Sequence, residues 1–160
     1  TNIQGTINPD GDVLTLTSPK VLDGKNDKIT ITVTVTPFDQ EKDLQRLKKG
    51  TSEAESITIS FYVKGNASAT YTCELYASAN VRQISKTFSV TTAWTKVVLT
   101  YPSDTTGAFN NDNGTALYLQ IFLYAGSDFT SGTLNSTSWA SDTKANRVSS
   151  GGTSFFDSTS

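Results

Sequence analysis

The sequence predicts an all-β domain, a β-sandwich of two antiparallel sheets with one short helix near residues 40–49. Three observations carry that expectation. Residues 57–63 alternate strictly, with Ile57, Ile59, Phe61 and Val63 set against Thr58, Ser60 and Tyr62. This is how a strand with one buried face is written, because successive side chains leave opposite sides of the pleat. Stretches with the same period recur up to residue 125, separated by turn residues and mostly without helix between them; short strands spaced in this way read as a sandwich. Apart from its hydrophobic residues, the chain is dominated by Ser, Thr, Asn and Gly rather than by charge. Threonine fits half-solvated strands, since its branched carbon packs while its hydroxyl meets water.

The chain-wide numbers narrow the function classes. A length of 160 residues suits one domain able to bury a core without metal or disulfide staples. The net charge of -2, with acids and bases mixed, gives no basic footprint for nucleic acid or an anionic membrane. The single cysteine, Cys73, excludes an internal disulfide and a cysteine zinc cluster. It falls in register with Ala69, Tyr71 and Leu75, as a buried small hydrophobe does. With no histidine, Ser-His and Cys-His pairs and histidine metal ligands are ruled out. No apolar run reaches the roughly 20 residues of a membrane span, so membrane insertion is not expected. The chain opens at Thr1 without a methionine or a signal-peptide pattern, as expected of a processed or excised piece.

In chain order, residues 13–17 read as a short strand behind the turn Pro9, Asp10, Gly11 and Asp12. Residues 29–36 alternate branched apolar residues with threonine and are closed by Pro37, which cannot donate to a ladder. Residues 39–49 carry the only helical signal. Asp39 can cap, Glu41 supports the positive end, Leu44 and Leu47 share a face, and Gly50 supplies the stop. Strands follow at 57–63, 69–76, 84–90, 97–101 and 117–124, the last with Leu117, Leu119, Ile121 and Leu123 as its core row. From 126 to 154 the chain reads as mostly loop, with Trp139 in its middle.

Several ordered segments resemble one known domain type. They are Asp43, Leu44, Gln45, Arg46, Leu47, Lys48, Lys49, Gly50 and Thr51, then Ile59, Ser60, Phe61, Tyr62, Val63 and Lys64, and then Trp94, Thr95 and Lys96. The match continues through Asp104 to Gly107, Asp112 and Asn113, residues 125–132, and Trp139, Ala140 and Ser141. Together, over about residues 38–160, they resemble a jelly-roll domain common in structural proteins of marine tailed bacteriophages. The resemblance implies a single jelly-roll domain over residues 1–160, with residues 1–28 an N-terminal arm or edge strand. In that family a further strand usually follows the point where this chain stops at Ser160. Either the chain is cut short there or the edge is completed by another chain, and an open edge is a pairing site by default.

Such domains are similar to carbohydrate-binding modules. The implied function is non-enzymatic: a virion-surface (extracellular) module of a fibre, appendage or decoration protein, acting in assembly and in host-surface glycan attachment. Implied partners are other virion subunits, in a homo-oligomer, and cell-surface glycan. The alternative is a carbohydrate-binding module of a secreted polysaccharide-degrading enzyme.

The candidate binding residues form an outward aromatic row, Tyr118, Phe122 and Tyr124, with Tyr62 and Tyr76 on neighbouring outward faces and Gln120 between. Sugar rings stack their C–H faces on flat aromatic rings, and Gln120 or Glu74 can fix hydroxyls. The competing reading sets these rings against a second layer, a helix or a neighbouring subunit. Asn111 and Asp112, in a loop rich in oxygen ligands, are the candidates for a structural Ca2+, against an ordinary Asx turn. No other cofactor is expected. Glu53, Glu55 and Glu74 have no spacing that separates a glycosidase pair from solvated acids, so no catalytic residue is assigned.

Overall fold

In the computed structural model, residues 24–33 and 41–155 are described. The patterned stretch 13–17, the capping Asp39 and residues 34–36 of the expected first strand lie outside them. Two antiparallel sheets pack face to face. In the larger, β1 (Lys28–Val33), β6 (Leu117–Ala125), β3 (Ala69–Ala77), β4 (Arg82–Val90) and β7 (Ala140–Ser141) lie side by side in that order. The smaller consists of β2 (Ile57–Val63) and β5 (Thr95–Tyr101). The protein is an all-β sandwich, as its period-two stretches predict.

Register explains how the layers close. Ile59 pairs with Leu99 and Phe61 with Val97, so the apolar rows of β2 and β5 point inward together. They meet Cys73, Leu75, Ile84, Phe88 and Val90, with Leu119 and Ile121 of β6 packed alongside. Phe61 meets Phe88 edge-on across the layers, with ring centres 5.2 Å apart. Tyr101 is fully buried and donates its hydroxyl to the Cys73 carbonyl at 3.0 Å, which satisfies its polar tip inside the core. Burial pushes the Cys73 thiol up to about 11, consistent with a packing role.

The expected helix forms as a 3-10 helix, Glu41–Leu47, and not as α-helix. The spacing of Leu44 and Leu47 suits this form, because residues three apart eclipse at three residues per turn; both pack onto the core. The helix ends where Lys48 and Gly50 take left-handed backbone angles.

The segment read as mostly loop is a structured cover. Helix α1 (Ser127–Thr130) and the 3-10 turn Lys144–Asn146 lie over the outer face of the larger sheet, while β7 between them extends its edge beside β4. Backbone hydrogen bonds seam it down: Ser85 N–H to the Asn135 carbonyl at 2.8 Å and Thr153 N–H to the Thr70 carbonyl at 2.7 Å. On the opposite side, between the layers, an apolar cleft of about 530 Å³ runs beside β2, lined by Ile31, Phe61, Val63, Ile121 and Leu123 among others. Among the described residues β2 has no strand partner on that edge.

Candidate ligand-binding surface

Two outward faces carry the aromatic residues, and they lie on opposite sides of the molecule. On the larger sheet, Tyr76 pairs with Tyr118, Glu74 with Gln120 and Thr72 with Phe122. The five candidates of β3 and β6 are therefore brought onto one face. The cover claims that face. Arg147 donates to both Glu74 oxygens, at 2.6 and 2.8 Å, where the carboxylate is fully buried. Its guanidinium lies 5.0 Å from the Tyr76 ring centre and 5.9 Å from that of Phe122. Phe129 of α1 packs on Phe122 at 6.4 Å.

Phe122 is consequently only 2% exposed and is no sugar platform. Its place in the binding row is corrected by the helix and the guanidinium above it. Tyr76 likewise offers a ring face to Arg147. Tyr118, Gln120 and Tyr124 are half-buried. Tyr124 lines a smaller cleft of about 200 Å³ with hydroxyl-bearing Thr70, Thr72, Thr130 and Ser149. The competing reading of these rings, that they face a second layer, describes Phe122 and Tyr76.

Electrostatics on the covered face follow from burial. Burial pushes the Glu74 carboxyl above its usual range, and the Arg147 guanidinium pulls the other way. A second buried cluster pins the end of the sandwich. Asp104 receives Lys49 at 2.7 Å and Arg82 at 2.8 Å, while the Lys49 ammonium also sits 4.9 Å from the Trp139 ring and 5.1 Å from Phe109. Burial works to raise the Asp104 carboxyl, but Arg82 and Lys49 hold it down at about 2. Burial pulls the Lys49 ammonium below its usual range against the pull of Asp104. Perturbed groups of this kind mark active sites when they face a cleft; with side-chain exposures of 4% and 2%, Lys49 and Asp104 are closed in by rings and backbone.

The other acids do not converge. Glu53 and Glu55 sit exposed before β2, with Glu53 bonded to Lys48 at 2.6 Å, while Glu74 is sealed on the far side of the larger sheet. In the 110–114 loop, Asp112 Oδ1 accepts the Gly114 N–H at 2.7 Å, and the carbonyls of Asp112 and Gly114 accept N–H groups from Lys42 and Glu41. Asp112 thus closes an Asx turn, and the loop is tied by its backbone to the start of the 3-10 helix. Among the described residues no group of three metal-ligating side chains forms.

The second face is the outer side of β2 and β5. Tyr62 stands here, 67% exposed, directly opposite Lys96. Trp94 lies just before β5 in the same outward alternation and is 71% exposed; Val98 follows at 55%. Sequence reasoning placed Tyr62 correctly on an outward face but grouped it with rings from the opposite side. It passed over Trp94. The available signal was parity: Lys96, Val98 and Thr100 are even-numbered, outward positions of β5, and Trp94 continues that alternation just before it.

Comparison with family models, with curated proteins and with solved structures finds no match.

Proposed function

We propose that the chain is a non-enzymatic module of a phage virion, a jelly-roll domain of a fibre, appendage or decoration protein that works in assembly and in attachment to host-surface glycan. The observation that carries the attachment part is the uncovered face of β2 and β5, where Tyr62 and Trp94 stand in solvent. Burying an aromatic ring is worth on the order of 2 kcal/mol, so two rings left out of the core mark a surface with a partner. The virion setting is supported by the ordered resemblance over about residues 38–160. Assembly is further supported by the strand edge of β2, whose amides and carbonyls stand beside an apolar cleft.

The same exposed rings favour a second reading, a carbohydrate-binding module of a secreted polysaccharide-degrading enzyme. Oligomeric state separates the two. Fibre and decoration modules work as repeated arrays, so sedimentation velocity of the full chain should give a trimer or larger closed assembly. A monomer at high micromolar concentration would contradict the virion reading and favour the second.

A further inference from the structure

Charge is distributed unevenly around the exposed rings. From residue 56 to residue 103 the chain contains a single acid, Glu74, and that one is fully buried against Arg147 on the opposite face. The same stretch holds Lys64, Arg82, Lys86 and Lys96. Arg82 is tied to Asp104, and Lys86 reaches the Ser136 carbonyl. Lys64 and Lys96 are exposed, and no ion pair engages either among the described residues. Both stand at the Tyr62–Trp94 end of the smaller sheet: Lys96 is opposite Tyr62, and Lys64 and Trp94 flank the last ladder pair, Val63 with Thr95.

We propose that this end of the outer β2–β5 face binds an acidic polysaccharide, with Tyr62 and Trp94 stacking on sugar rings and Lys64 and Lys96 pairing with carboxylate or sulfate groups. The inference rests on the glycan-attachment reading above and gives it a ligand class. Cross-strand neighbours on one face lie roughly 5 Å apart, so ring and ammonium can engage one sugar unit together. The turn that carries Trp94 is set in advance. Thr91 Oγ1 donates to the Ala93 carbonyl at 3.1 Å and accepts the Ala93 N–H at 3.3 Å, and Gly65 N–H bonds the Thr91 carbonyl at 2.9 Å. A platform ordered beforehand loses less freedom on binding. Lysine is depleted in protein–protein interfaces, where aromatic residues are enriched; two unpaired lysines beside the rings favour a polyanionic glycan over a subunit contact.

The test is isothermal titration of the full chain with polygalacturonate, hyaluronan and a sulfated carrageenan, with neutral dextran as the control, alongside sedimentation velocity of each variant. At least one polyanion should bind and dextran should not; the polyanion panel separates carboxylate from sulfate recognition. Trp94→Ala should weaken binding by about tenfold or more. The double variant Lys64→Gln/Lys96→Gln should bind more weakly and with a shallower dependence on salt. All these side chains are exposed, so the variants should fold, and circular dichroism would verify it. Binding of dextran equal to that of the polyanions, unchanged affinity in Trp94→Ala, or no binding to any polyanion would overturn the proposal. Loss of self-association in these variants would also overturn it, by making the face a subunit contact. That last outcome leaves the assembly role standing, whereas a monomeric wild type that binds polyanion sinks the virion reading alone.

Discussion

The charge state of Asp104 is tied to the stability of the fold through Arg82 and Lys49. Held at about 2 by Arg82 and Lys49, its carboxyl lies below the 3.8 of an unperturbed aspartate. A depressed carboxyl contributes stability that is complete above the unfolded value and is lost as pH falls toward the folded one. Wild-type stability should therefore drop by about 2 kcal/mol between pH 4 and pH 2 through this group. Asp104→Asn should flatten that part of the urea-derived stability profile and lower stability at neutral pH; an unchanged slope would contradict the pairing. At Glu74 and Arg147 the expectation differs. Removing the guanidinium alone, as in Arg147→Met, strands a buried carboxylate and should cost about 3–5 kcal/mol. Glu74→Leu combined with Arg147→Met should recover much of that loss, as a double-mutant cycle by chemical denaturation would reveal.

At the scale of elements, alternation made the strands legible, and the strands of the structure follow it closely. β2 is the stretch 57–63 as patterned, and β3 exceeds its expected span by one residue. The cover over the larger sheet was illegible because nothing periodic holds it. Its anchors are Arg147, the Asn135 carbonyl and single hydrogen bonds to β3 and β4, which leave no repeat in the sequence. Phe122 was misassigned for that reason, since an outward position on β6 looks the same whether solvent or α1 lies above it. The 3-10 helix ends at a point where chemistry is demanding. Gly50 takes φ near 85°, and a Cβ there would lie 2.6 Å from the Ala108 backbone. Gly50→Ala should destabilise by about 2–4 kcal/mol, a drop readable as a lower melting temperature, from the left-handed angle and the clash together. A change under half a kcal/mol would mean the turn relaxes freely.

For the whole molecule, period two told which residues face inward but not which strands neighbour one another. The order β1-β6-β3-β4-β7 joins strands far apart in sequence, and such pairings depend on contacts that no local pattern encodes. The same non-locality hid the exposed aromatic face. Tyr62 and Trp94 come to the same end of one face only because β2 pairs with β5, while Tyr76 and Phe122 are screened only because residues 126–155 return across them. Among the described residues one aromatic face is thus closed by its own chain, while Tyr62 and Trp94 on the other stand exposed. Calorimetric titration of a polyanionic glycan into Trp94→Ala and Tyr124→Ala compares them most directly. Weakened binding in Trp94→Ala with wild-type affinity in Tyr124→Ala is the predicted result; intact binding in Trp94→Ala with loss in Tyr124→Ala would contradict the account.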